Sequence, residues 1–107
     1  MAGVSAVMFN KETRIFILVK AQQLTEASDN GCLVLSAISH FIHRNYADDL
    51  TEKSLRAFEL YCTSLMLSLK RTPTKKLDGL YLSHLYSALE RLFKENSTDT
   101  PVLSSRK

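Results

Sequence analysis

The stretch Thr51 to Arg71, TEKSLRAFELYCTSLMLSLKR, limits the possible folds of this chain more than any other. Leu55, Phe58, Cys62, Leu65 and Leu69 follow one another at intervals of three, four, three and four residues. That is the beat of one helix face turned to a core. Leu60 and Leu67 fall almost diametrically opposite, one above the other, with Ser64 between them. A surface helix is polar on that side. A helix apolar on two opposed faces needs two sets of neighbours, and a short chain has few segments to spare. The second set is expected to come from a partner. The rival expectation is that the amino-terminal segment of the same chain covers the strip and makes this helix a central one.

The bulk numbers suit that reading. A length of 107 residues matches one domain, and 45% hydrophobic with 23% charged residues is ordinary globular composition. Three Gly and two Pro favour a few long elements over many turns. A domain of this size keeps much apolar surface near the outside, and self-association is a common remedy. The formal charge of +3 and a pI near 9.0 are only mildly basic. A dedicated nucleic-acid reader masses its cations on one face.

Cys32 and Cys62, the only cysteines, stand at or beside apolar positions and are expected as reduced, buried thiols. Two isolated thiols without clustered His or Asp make no metal site, so neither metal nor cofactor is expected. The opening MAGVSAVMF has no basic region ahead of it, and the first charge is Lys11. The run Ile15 to Val19 is far too short to cross a bilayer. No lipidation pattern is present at either end, and a cytoplasmic protein without membrane contact is expected.

Along the chain, Asn10 can cap a first helix with Glu12 in its first turn. Ile17, Ala21 and Leu24 share one face of it, while Ile15, Phe16, Leu18 and Val19 fill the circumference. An element apolar all round is expected to be buried all round. The alternative is a short hairpin pairing residues 6–9 with the β-branched and aromatic run 15–19. The helix-forming continuation KAQQLTEA favours the helix. Ser28-Asp29-Asn30-Gly31 is a break, and a second helix is expected from about Cys32 to Tyr46. Its expected apolar stripe is Val34, Ala37, Ile38, Phe41 and Ile42, with Ser36, Ser39, His40 and His43 polar.

Thr51 or a preceding aspartate caps the long helix, Glu52 complements its positive end, and Leu50 can pack back on Leu55. Lys70 and Arg71 suit its carbonyl end, and Pro73 forbids continuation. A last helix is expected from about Lys75 to Glu95, with Leu82, Leu85, Leu89 and Leu92 as its stripe. Asp78 is the alternative cap, which would move Gly79 out of the helix interior. Residues 96–107 read as a polar tail.

No motif for catalysis stands out. Nucleophilic chemistry needs a base held against an activated Ser, Cys or Thr, and the serines here fall mid-helix on polar faces. No nucleophile elbow, phosphate-cradling glycine loop or zinc-protease helix occurs. His40 and His43 share a helix face without a third ligand and read as solvated. Glu59 reads as a member of an intrahelical pair. Lys70, Arg71, Lys75 and Lys76 form the one charge cluster, at the elbow between the last two helices. Such a cluster can contact phosphates, with strong salt dependence.

The sequence therefore predicts an all-α bundle of about four helices, residues 1–95, the last two forming an antiparallel hairpin. Leu55, Phe58, Leu65, Leu69, Leu82, Leu85, Leu89 and Leu92 should be its centre. The expected function is that of a small regulator or adaptor, not an enzyme, binding protein through Leu60, Ser64 and Leu67 with Ile15, Phe16, Leu18 and Val19 beside them. A second copy is the first partner expected, since isologous pairing is the commonest oligomer. The alternative is a nucleic-acid-binding regulator using the basic elbow.

Overall fold

A computed structural model of the chain describes residues 11–71 and 77–96. They form four helices: α1 (Lys11–Ala27), α2 (Gly31–Tyr46), α3 (Glu52–Lys70) and α4 (Gly79–Asn96). A single 3-10 turn, Ala47–Asp49, leads from α2 towards α3. The run Ile15 to Val19 is helical, within α1. The other half of the alternative hairpin, residues 6–9, lies outside the described residues, as do Lys75, Lys76 and the tail from residue 97.

Three helices begin where a short polar side chain satisfies their first amides. Asn30 Oδ1 accepts from the backbone N–H of Cys32 at 3.0 Å and of Leu33 at 3.2 Å. Thr51 Oγ1 accepts from Ser54 N–H at 3.2 Å. Asp78 Oδ1 accepts from Leu80 N–H at 3.1 Å and Tyr81 N–H at 3.3 Å. The last helix thus starts at Gly79, with Asp78 as its cap, four residues later than the start expected at Lys75. Gly79 then occupies the first turn and carries no interior-glycine penalty. At the other end α4 includes Asn96, which the sequence reading assigned to the tail.

Neighbouring helices run antiparallel. His43 faces Glu59 at one end of the α2–α3 pair, and the Cys32 thiol donates to Met66 O at 3.6 Å at the other. Ser68 meets Tyr81, and Ser54 meets Asn96, along α3 and α4, which is the expected hairpin. Phe16 of α1 tilts against Phe41 of α2 with ring centroids 6.1 Å apart. Arg14 of α1 reaches α4, pairing with Glu90 at 3.9 Å and lying 6.0 Å from the centre of the Phe93 ring. The result is an up-down-up-down bundle in which α1 and α3 stand on a diagonal.

The core follows the expected beat in α3, where Leu55, Phe58, Cys62, Leu65 and Leu69 are all buried. Leu85, Leu89, Leu92 and Phe93 come in from α4, and Leu50 and Leu77 close the ends. Leu82, expected at the centre, is only partly buried and packs against the core from its edge. In α2 the stripe is Val34, Leu35, Ile38 and Ile42. Ala37 and Phe41 are half-buried, and fully buried Leu35 takes the place assigned to them. The physical reason is direction: α2 is wedged between α1 and α3, so its buried arc centres on Ile38 and Ile42 and leaves Phe41 at the α1 seam.

α1 departs furthest from expectation. Only Ile17 and Ala21 are buried, Leu18 and Leu24 are half-buried, and Ile15, Phe16 and Val19 keep 51%, 55% and 46% of their surface. A helix at the corner of a four-helix bundle has neighbours on two sides, so an all-round apolar sequence cannot be covered all round.

Candidate functional site

Leu60 and Leu67 project from the side of α3 directly away from the core. Leu60 is 64% exposed and Leu67 54%. Among the described residues α1 does not cover this strip; residues 1–10 of the amino-terminal segment weighed above lie outside the described residues. Two helix turns separate the leucines, about 10.5 Å along the axis, and exposed Ser64 lies between them. Placement of both leucines follows from the helix repeat alone: with residues 58, 62, 65 and 69 fixed inward, 60 and 67 must face out.

The structure does not bring Ile15, Phe16, Leu18 and Val19 beside this strip. They belong to α1, across the bundle diagonal, and the outer faces of diagonal helices point away from each other. Leu18 packs partly on the core, and Phe16 rests on Phe41, which Lys20 Nζ also covers at 5.6 Å from the ring centre. The seven expected contact residues thus split into two separate surfaces. Of the expected basic elbow, Lys70 and Arg71 are exposed at the end of α3, while Lys75 and Lys76 lie outside the described residues.

Three features of the α3 surface were missed in the sequence. Exposed Lys53 and Arg56 stand at its amino-terminal end, on the same outward side as the leucines. The order Arg56, Leu60, Ser64, Leu67, Arg71 has intervals of four, four, three and four, so the stripe was legible as a second helical beat had cations been counted in it. Arg56 Nη2 approaches Glu52 Oε2 at 3.6 Å, in an exposed pair one turn apart. Among the described residues, Lys53, Lys70 and Arg71 have no ion-pair partner.

Grooves flank the strip on both sides. Towards α4, Ala57, Phe58, Tyr61, Ala88, Leu92 and the rim residues Arg91 and Glu95 line a cleft of about 180 Å³. Towards α2, a shallower trough of about 450 Å³ runs past His43, Leu55, Glu59, Leu60 and Thr63. In that trough His43 Nδ1 lies 2.7 Å from Glu59 Oε2. His43 is solvent-exposed, as expected, but its contact is with Glu59 across the helix pair, where an intrahelical partner was expected for Glu59. The two residues are sixteen apart, and only the α2–α3 register joins them.

The resolved shifts all favour the neutral form of the group concerned. Burial pushes the Cys62 thiol up to about 12, and the nearby Glu59 carboxylate adds to the rise. Burial also raises the Tyr46 phenol, helped by Asp49. Tyr86 is raised by burial and by Glu26, against a lowering hydrogen bond with Thr25. Among the described residues no three His, Cys, Asp or Glu side chains converge on a metal position. No described helix is long and apolar enough to cross a membrane. Compared with protein-family models, with curated proteins and with solved structures, the chain matches none.

Proposed function

We propose that this chain is a small regulatory or adaptor protein that works by binding another protein along the outer face of α3. The observation that carries the reading is the pair Leu60 and Leu67, exposed two turns apart on a helix whose opposite face is fully engaged in the core. Exposed leucines scattered singly are ordinary on any protein surface. Two in register on one helix, between two grooves, form the anchor pattern of helix-in-groove recognition. Such affinity comes from a few buried apolar side chains and needs no reactive group. Two free cysteines fit a reducing compartment, for which the cytoplasm is the default.

The test is the double variant Leu60→Asp with Leu67→Asp. Both positions face solvent, so the variant should keep its helical circular dichroism. Its molar mass in solution, or its capture of partner from the source cell, should change. A folded variant with the same mass and the same captured proteins as the parent would end this reading.

A further inference from the structure

We infer that the occupant of the α3 face is an amphipathic helix with carboxylates at both ends of its apolar stripe, rather than the α3 of a second copy. This rests on the reading of the α3 face as a protein-docking surface and specifies the chemistry of what docks there.

The stripe is apolar in the middle and cationic at its two ends. Lys53 and Arg56 precede Leu60, and Lys70 and Arg71 follow Leu67. Glu52 answers Arg56 within the helix; the other three cations have no ion-pair partner among the described residues. Of the other acids near the strip, Glu59 is turned to His43 on α2, and Glu95 stands on the α4 side of the neighbouring cleft together with Arg91.

Now place a second α3 against it about a two-fold axis. Leu60 meets the copy's Leu67, Arg56 meets the copy's Arg71, and Lys53 and Lys70 fall at the same two cationic ends. Parallel pairing sets each cation beside its own equivalent. Both arrangements oppose like charges at each end, and juxtaposed like charges act against a pairing. Two leucines per copy are also a small apolar contribution next to the roughly 800 Å² per partner of a stable interface. A helix bearing Glu or Asp at each end removes the repulsion and gains steering from the same cations. Side chains on its flanks would reach Tyr61 and Ala57 on one side and the trough by His43 on the other.

The experiment is selection from a displayed library of 21-residue helical peptides, with apolar residues at two central positions seven apart and each end randomised between Glu and Lys. The full chain serves as bait, and selected peptides are re-synthesised and titrated by fluorescence anisotropy. Selected peptides should carry Glu at both ends and bind at least about tenfold tighter than their Lys-ended versions, a preference that shrinks as salt screens it. Lys70→Glu with Arg71→Glu should reverse the preference at the matching end, and Leu60→Asp with Leu67→Asp should abolish binding. Selection without charge bias, still lost in the leucine variant, overturns the acidic occupant but leaves the docking face standing. A dimeric parent chain that the leucine variant turns into a monomer does the same, in favour of a second copy. Peptides that bind the leucine variant as well as the parent, or a duplex DNA held through Lys70 and Arg71 with the leucines irrelevant, overturn both.

Discussion

Asn96 ties the open end of the α3–α4 hairpin together. Its Nδ2 donates to Ser54 Oγ at 2.9 Å and to Leu92 O at 2.8 Å, and its Oδ1 accepts from Thr51 N–H at 2.9 Å. Ser54 is the one buried polar residue among those described, so this network fills a need that water cannot. Asn96→Ala is expected to cost about 1–3 kcal/mol in urea unfolding, because it strands partly buried donors and acceptors. Asn45→Ala is the control: Asn45 Nδ2 donates to Phe41 O within its own exposed turn, and its loss should stay within about 0.5 kcal/mol. Equal effects at the two positions would show that the interhelical tie contributes nothing. Cys62 gives a second residue-scale test. Its folded pKa, about 12, is raised above its ordinary 9.0. The neutral thiol is therefore favoured by folding. That stability is fully present below pH 9 and is lost as pH rises towards 12, at a limiting slope of roughly 1.4 kcal/mol per pH unit. Tyr46 and Tyr86, also raised, act in the same direction. Cys62→Ala should flatten the decline measured by unfolding between pH 9 and pH 10.5, where the parent keeps falling. A parallel decline in both proteins would remove Cys62 as its source.

At the scale of one element, α3 divides cleanly into a face that holds the fold and a face that does not. Leu65→Ala empties a buried position and should cost about 2–5 kcal/mol. Leu60→Ala and Leu67→Ala alter exposed positions on the same helix and should each stay within about 0.5 kcal/mol. Chemical denaturation of the three variants decides the matter, and a large loss at position 60 or 67 would make the strip structural. This division was legible in the sequence because α3 carries two separate beats on opposed sides, and one neighbouring bundle can cover only one of them. The same logic located the α3–α4 hairpin, since each helix of the pair carries one unbroken core-facing stripe. It failed for α1. There the apolar residues occupy every direction, so periodicity gave no face, and the number of neighbours decided which of them stay exposed. Nor could it join His43 to Glu59 or separate Phe16 from Leu60, because both outcomes depend on which helices are adjacent around the bundle. Adjacency is set by tertiary packing and leaves no local spacing to read.

For the whole molecule, the bundle is uneven in how firmly its corners are held. α3 places six buried residues in the interior, whereas α1 places two, Ile17 and Ala21. The polar ties of α1 are weak as well: Arg14 and Glu90 meet at 3.9 Å with about half of each side chain in solvent, a class of pair worth roughly 0–1 kcal/mol. Local opening follows the elements with least buried apolar contact. Native-state hydrogen exchange should therefore find α1 amides opening at a lower free energy than those of α2, α3 and α4. Ile17→Ala should widen that gap, because it removes the largest buried side chain of α1 while leaving the α2–α3–α4 contacts in place. Its effect on α1 protection should then exceed its effect on α3 protection. If α1 amides instead exchange only through global unfolding, and Ile17→Ala lowers all four helices equally, the corner is as firmly held as the rest. A partner on the α3 face would then have to act on a single cooperative unit. If the gap appears, the proposed docking face belongs to the more stable part of the molecule, and α1, on the opposite diagonal, can open without disturbing it.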